Sequence, residues 1–520
     1  MNNKFKNYTP TFLSILFIIG ITVGYYFGKR KSLYSIDLSK YSKIYNLLET
    51  IQEYYVDSIN VYSLIEKIIP KILEQLDPFS IYISPNEKFI YQDELEDEFE
   101  GIGIEFLLIN DTINVINVLP NGPAHKAGIL QGDKIIKIND INVANVGISN
   151  LEVIKKLRGP KNTSVKVTII RDNEKDLMDF SIVRDKIPVV SVDAGLKIGD
   201  VGYIKISKFA LNTYKEFYNK LKSLKSENIK KFIIDLRGNS GGFMEQAILI
   251  ANEFLEKNDI IVMVKKRGKV LKKYTANGKG IAKKDNVIII IDEYSASASE
   301  IFAGAIQDND RGLVIGKKSY GKGLIQQEFP FLDGSYIRLT TARYYTPSGR
   351  CIQKPYKSFV DYILNYLDYD TTKIMDTIAK KKFFTKRKKR VVYEDGGITP
   401  DIIIEDTINI SDFEKQILKD YKHYKFVLYF SNKYKHKIND INFFFLNNSD
   451  SLLLQELRNY FKVEEENFKF DKYFLRFLKL KIIKNLFNQE QFYNFFVKTD
   501  TIVKYALKIF DENFFEKNFF

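Results

Sequence analysis

Between residues 200 and 350, apolar runs of strand length alternate with stretches of helical period, and few folds accommodate that order. The pattern predicts strands over 202–207, 231–236, 287–291 and 312–315, with helices over 213–224, 244–255 and 299–307. Such alternation builds an α/β layer with at least partly parallel strand pairing. A further β segment, Tyr336–Tyr345, runs into the turn Thr346-Pro347-Ser348-Gly349.

Different patterns flank this layer. Residues 36–98 read as mostly helical, with apolar residues at helical spacing from Tyr45 through Leu76, until Leu76-Asp77-Pro78 breaks the period. From Gly101 to about residue 186 the period becomes two, as in Val165, Val167 and Ile169 alternating with Lys166 and Thr168. Short strands, one small helix and Gly-rich turns such as Pro120-Asn121-Gly122-Pro123 predict a compact β-rich domain there. Residues 357–395 are rich in lysine and tyrosine and lack strong periodicity. After them, Gly396-Gly397-Ile398-Thr399-Pro400-Asp401 leads into the apolar Ile402-Ile403-Ile404, and the remainder is aromatic, basic and expected to be helical.

The chain has 520 residues, and its 79 Lys+Arg against 65 Asp+Glu give a formal charge of +14. That balance suits anionic partners in general. Much of the excess lies after residue 260, and the run Lys386-Arg387-Lys388-Lys389-Arg390 reads as a solvated loop. No aromatic-studded RNA-binding signature or zinc-finger spacing accompanies it, so nucleic acid is not an expected partner. Cys351 is the sole cysteine, which excludes an intramolecular disulfide. The three histidines, His125, His423 and His436, form no H-E-x-x-H pair, and no metal site is expected. Their scarcity pushes any hydrolase reading towards a base other than histidine.

Residues 12–27 form an almost unbroken apolar run between Lys4 and Lys6 on one side and Lys29-Arg30-Lys31 on the other. Its length is close to the roughly 17-residue minimum of a membrane span. It ends in the bulky Tyr25-Tyr26-Phe27-Gly28, unlike the small residues of a cleavage site, so an uncleaved signal anchor is expected, with a cleaved signal peptide as the alternative.

Several loops offer chemistry. Gly101-Ile102-Gly103 fails as a dinucleotide fingerprint because Phe106 stands at the third glycine position. The stretch from Gly316 to Gly323 matches G-x-x-x-x-G-K, yet Gly323 stands where a phosphate loop needs Ser or Thr for Mg²⁺. In Asp235-Leu236-Arg237-Gly238-Asn239-Ser240-Gly241-Gly242, successive glycines at a strand end expose N–H groups to a phosphate or a developing oxyanion. In Ser295-Ala296-Ser297-Ala298-Ser299-Glu300 a buried strand turns into a helix through small residues, the place where an α/β fold presents a nucleophile. Ser297 and Glu300 also fit a capping box, and spacing alone favours that reading. Lys322, between two glycines, is a candidate base if desolvation lowers its pKa from about 10.4.

In this order, Leu76-Asp77-Pro78-Phe79-Ser80, Gly101 to Ile104, Pro123 to Asp133, Asp235 to Gly242, Ser295 to Glu300 and Gly321-Lys322-Gly323 resemble one family. The chain is similar to the C-terminal processing (tail-specific) peptidases, Ser–Lys endopeptidases with an inserted PDZ domain. The resemblance spans roughly residues 40–355 and 396–405. It implies Ser297 as nucleophile, Lys322 as general base and Gln326 as the residue orienting that base. It implies an oxyanion hole from the Ala298 N–H and that of Gly241 or Gly242, with no metal or organic cofactor. A PDZ loop of Gly101, Ile102, Gly103 and Ile104 would hold the carboxylate of substrates with apolar C-termini.

The implied fold is multidomain α/β: a cytoplasmic tail and anchor (1–35), a helical region (36–98), a PDZ domain (99–186) and a protease core (187–356). An insertion (357–395), a return strand (396–406) and a helical C-terminal extension (407–520) follow. The implied location is the bacterial inner membrane, single-pass, with the catalytic part periplasmic; a homo-oligomer or an adaptor is possible. The alternative is an inactive PDZ scaffold that only binds C-termini.

Overall fold

The computed structural model describes residues 17–20, 41–85, 87, 98–171, 174, 176–356, 381–405, 410–463 and 470–511. The expected anchor, apart from 17–20, and most of the 357–395 insertion lie outside them. Among the described residues no helix is long and apolar enough to cross a membrane. The chain divides into two compact units, Met1–Leu76 and Asp77–Phe520. In the first, helices Ser42–Tyr54 and Val61–Leu73 follow one another, the second started by the Asn60 side chain accepting the Ser63 N–H at 3.1 Å.

The second unit is organised by a six-stranded sheet. Its order is Val192–Ile198, Val201–Ile206, Lys231–Asp235, Asn286–Ile291, Leu313–Gly316 and Ile402–Ile403, antiparallel only in the first pair. The strands advance across the sheet in one direction. Right-handed crossovers therefore place helices Thr213–Ser226, Met244–Asn252 and Ala298–Asp308 on the same face. Ile204, Phe232, Ile234 and Ile289 point into that layer, where they meet Phe217, Phe254 and Phe302.

The alternating residues Tyr203, Ile233, Ile288, Ile290 and Ile315 point the other way and need a second cover. The C-terminal extension supplies it. Val497 of helix Gln489–Thr499, and Ile502, Val503, Ala506 and Phe510 of helix Thr501–Asp511, close over this face.

A second sheet joins Ile260–Lys266, Lys269–Thr275, Leu324–Pro330 and Tyr336–Tyr345. Its edge strand, Ile81–Ile83, comes from a stretch expected to be helical, and pairs with Tyr336 to Arg338. A strand, Leu324–Pro330, follows the G-x-x-x-x-G-K stretch. The helix a phosphate cradle requires is not there, and the nucleotide reading falls.

The β-rich domain has the sheet order Ile104–Leu108, Ile113–Val118, Lys134–Ile138, Ser164–Ile170 and Met178–Val183. It carries two helices, Pro123–Ala127 and Asn150–Leu157, where the sequence suggested one. Strand Ile104–Leu108 lies at the sheet edge. The extension touches this domain as well, through Asn485 to Gln131 at 2.6 Å and Lys484 to Glu105 at 3.3 Å.

The basic run at 386–390 turns between strands Lys381–Phe384 and Val391–Glu394, exposed to solvent from Lys386 to Lys389 as expected, and its backbone is pinned to a buried carboxylate. Asp310 accepts the Arg387 and Lys388 N–H groups at 2.8 Å each and the Arg390 side chain at 2.8 Å. Asp310 lies at the end of the Ala298–Asp308 helix, where its charge would otherwise be buried unpaired.

Candidate active site

The apolar strand Asn286–Ile291 delivers the chain to a sharp turn before helix Ala298–Asp308. At that turn Ser297 has φ 53° and ψ −111°, a conformation that L side chains rarely adopt. Such strain persists only where the surroundings over-determine it. Here they do. Ser295 Oγ donates to the Leu236 carbonyl and Ser299 Oγ to the Asn239 carbonyl, both at 2.9 Å, stitching the turn to the neighbouring 235–242 loop. Among the described residues no such carbonyl tether holds the Ser297 hydroxyl, which separates it from its two serine neighbours.

Glu300 carries the rest of the assembly. Fully buried, its carboxylate accepts from the N–H groups of Ser297 (2.8 Å), Gly321 (2.7 Å) and Lys322 (2.9 Å), and from Ser319 Oγ (2.6 Å). The Tyr344 hydroxyl reaches the carbonyls of Ser297, at 3.0 Å, and of Lys322. Burial pushes the Glu300 carboxyl up to about 7, against the hydrogen bonds that favour its ionised form. The capping-box residue at position 300 thus does more than start a helix: it joins two loops.

The Lys322 chain passes between Gly321 and Gly323, where added Cβ atoms would come within 2.9 Å of Gly396 and of the Gln353 nitrogen. That tight passage turns the lysine inward. Its Nζ donates to Gln326 Oε1 at 3.2 Å and lies 4.9 Å from the centre of the Phe79 ring. Gln326 is held in turn by donating Nε2 to the Phe79 carbonyl at 2.6 Å. Burial first, then the Arg338 charge, lowers the Lys322 pKa, while Asp77 and Glu300 pull the other way.

The 235–242 loop completes the surroundings. An added Cβ on Gly241 would stand 2.7 Å from Ser297 Cβ, and one on Gly242 would stand 2.2 Å from the Phe209 oxygen. The loop can approach the turn only because both are glycines. The Gly241 N–H donates to Asn239 Oδ1 at 2.9 Å and is therefore committed. The Gly242 and Ala298 N–H groups take no hydrogen bond within the described residues.

The model of peptidase family S41 matches residues 200–357, and that of the PDZ domain matches residues 101–182. A carboxy-terminal-processing protease of Bartonella bacilliformis is 35% identical over 312 residues, covering 59% of this chain and 71% of the relative. The carboxy-terminal processing protease CtpA of Bacillus subtilis is 33% identical over 365 residues, covering 68% and 78%. The chain belongs to the carboxy-terminal processing proteases of peptidase family S41. Among solved structures, the photosystem II D1 C-terminal processing protease matches at 23% identity and a TM-score of 0.38, covering 71% of this chain and 94% of that one.

The chain is accordingly a serine peptidase with a PDZ domain ahead of an α/β core. Within this S41 protease, the structure gathers Ser297, Ala298, Gly241, Gly242, Lys322 and Gln326 around the end of one sheet. It places Gly101, Ile102, Gly103 and Ile104 in the PDZ domain, lining a groove of about 450 Å³ with Phe106, Ile154 and Leu157. The Ile102 and Gly103 N–H groups take no hydrogen bond within the described residues. All three histidines lie away from the core sheet: His125 in helix Pro123–Ala127, His423 in helix Lys422–Tyr434 and His436 just after it.

Sequence reasoning missed three participants. Glu300 was read only as a cap. Phe79 entered only as part of the Leu76 to Ser80 motif, yet its carbonyl holds Gln326 and its ring lies beside Lys322. Tyr344 was read only as part of a strand. The Leu76 to Ser80 motif was the one available signal for the second.

Proposed function

We propose that this protein cleaves polypeptides near or from their C-termini by acyl transfer, with Ser297 as nucleophile and Lys322 as general base. Neutral Lys322 takes the Ser297 proton as Oγ attacks the scissile carbonyl carbon. The Ala298 and Gly242 N–H groups bear the developing oxyanion, and the Lys322 ammonium returns the proton to the departing amine. Water, deprotonated by Lys322, then hydrolyses the ester. Gln326 orients the lysine throughout.

The observation that carries this reading is geometric: a half-buried lysine, its Nζ held by Gln326, shares one carboxylate through its backbone N–H with that of a strained serine. The PDZ groove would take an apolar last side chain against Ile154 and Leu157. The substrate carboxylate would sit on the Ile102 and Gly103 N–H groups, and its chain would extend along the edge strand Ile104–Leu108. Residues 12–27 supply a signal anchor holding the enzyme on the extracytoplasmic side of a bacterial inner membrane, with domains divided near 99, 187, 357, 396 and 407.

The test incubates protein lacking residues 1–35 with an unstructured polypeptide ending in apolar residues, and reads the products by mass spectrometry. Wild type should cleave without ATP or Mg²⁺, while Ser297→Ala and Lys322→Ala should not. Equal cleavage by all three would remove the dyad assignment, and tail binding without cleavage would leave a scaffold.

A further inference from the structure

The loop that supplies the proposed oxyanion donor begins at Asp235 and is tethered at Arg237, whose carbonyl also accepts from Lys205. The Arg237 guanidinium binds Asp235 through Nε at 3.1 Å and Nη2 at 2.6 Å, and the Arg237 N–H donates to Asp235 Oδ1 at 2.9 Å. Its remaining nitrogen, Nη1, reaches both oxygens of Asp500 at 3.1 and 3.2 Å. Asp500 is 263 residues away in sequence, in the C-terminal extension. Its side chain is 5% exposed, and it also accepts from Arg476 Nη2 at 3.0 Å and from the Val503 N–H at 3.0 Å. Both guanidinium groups lie over the Phe496 ring, at 5.3 Å for Arg237 and 5.2 Å for Arg476.

This arrangement exceeds what covering a sheet requires. Apolar contact would suffice to close that face, whereas a buried carboxylate aimed at an arginine of the active-site loop carries a desolvation cost that only its pairing offsets. A guanidinium gripped by two carboxylates in a plane has one orientation, and its backbone is then fixed as well. Gly238 to Gly242 follow directly.

We propose that Asp500 is a positioning residue for catalysis: through Arg237 it sets the loop that presents the Gly242 N–H to the oxyanion, which makes the C-terminal extension part of the active-site framework. The proposal rests on the acyl-transfer reading above. Asp500 also precedes helix Thr501–Asp511, and the cap reading has to be separated from the positioning one.

Full-length Asp500→Asn does so, because asparagine caps a helix about as well as aspartate but lacks the charge. Arg476→Gln is the companion variant: it disturbs the same carboxylate without touching Arg237. On an unstructured peptide substrate, Asp500→Asn should lower kcat by about 10-fold or more with KM within about twofold. Arg476→Gln should stay near wild type in kcat. Hydrogen exchange of Gly238 to Gly242 should quicken in Asp500→Asn alone, a readout that holds whether or not the dyad assignment stands. Unchanged exchange and kcat in Asp500→Asn would overturn the proposal. So would equal losses in both variants, since these would report only the stability of the extension.

Discussion

Ser297 and Lys322 donate their backbone N–H groups to the same oxygen, Oε2 of Glu300, at 2.8 and 2.9 Å. The turn bearing Ser297 and the loop bearing Lys322 are thus referenced to one atom. Replacing Glu300 with glutamine presents an N–H₂ where donors already converge. Activity should fall about 100-fold in Glu300→Gln, measured as kcat/KM on a quenched peptide.

The same carboxyl sets a pH dependence. Its pKa is raised from 4.5 to about 7 by burial, so it protonates as pH falls through 7 and loses acceptor capacity for four donors. Because the folded form binds this proton more tightly than the unfolded chain, the group's contribution to stability is fullest below 4.5 and declines as pH rises through about 7. Activity runs the opposite way. A pH–rate profile should rise through about 7, then rise again towards the lowered pKa of Lys322, and the first limb should be missing in Glu300→Gln.

Gly241→Ala places a methyl group 2.7 Å from Ser297 Cβ at a φ of +103°. Both the clash and the backbone conformation oppose it, and the loop should shift from the turn. We expect a loss of about 1–3 kcal/mol in chemical denaturation, with cleavage reduced by more than stability alone accounts for.

Arg350 and Asp308 form an ion pair at 2.8 Å with both side chains fully buried. Arg350→Met leaves Asp308 charged in the interior and should cost about 3–5 kcal/mol in urea unfolding.

A chain ended at residue 405 would uncover Tyr203, Ile233, Ile288, Ile290 and Ile315 together. Such a fragment, with residues 1–35 also removed, should aggregate, or bind a hydrophobic dye, under conditions where residues 36–520 remain monodisperse by light scattering.

The regular part of this architecture was legible in the sequence because its signals are local. The strands at 231–235 and 286–291 are short with apolar centres, and the helices beside them keep their period. The hairpin of Ile260–Lys266 and Lys269–Thr275 was not legible: its second strand is exposed on both sides and lysine-rich, so no alternation marks it. The cover over the second sheet face was equally silent. Helix Thr501–Asp511 carries an apolar stripe at Ile502, Val503, Ala506, Ile509 and Phe510, but a stripe does not say which sheet face it covers. Phe79 acts largely through its carbonyl, which residue identity does not encode. Nor could the sequence tell Gly241 from Gly242, since what distinguishes them is the Asn239 side chain taking the Gly241 N–H.

The most direct test of the central claim is labelling with a fluorophosphonate, which reacts only with an activated serine, followed by peptide mapping. The account predicts a single adduct on Ser297 in the wild type, with labelling at least about 100-fold slower in Lys322→Ala. An adduct on another residue, or a wild-type rate of Ser297 labelling without Lys322, would contradict it.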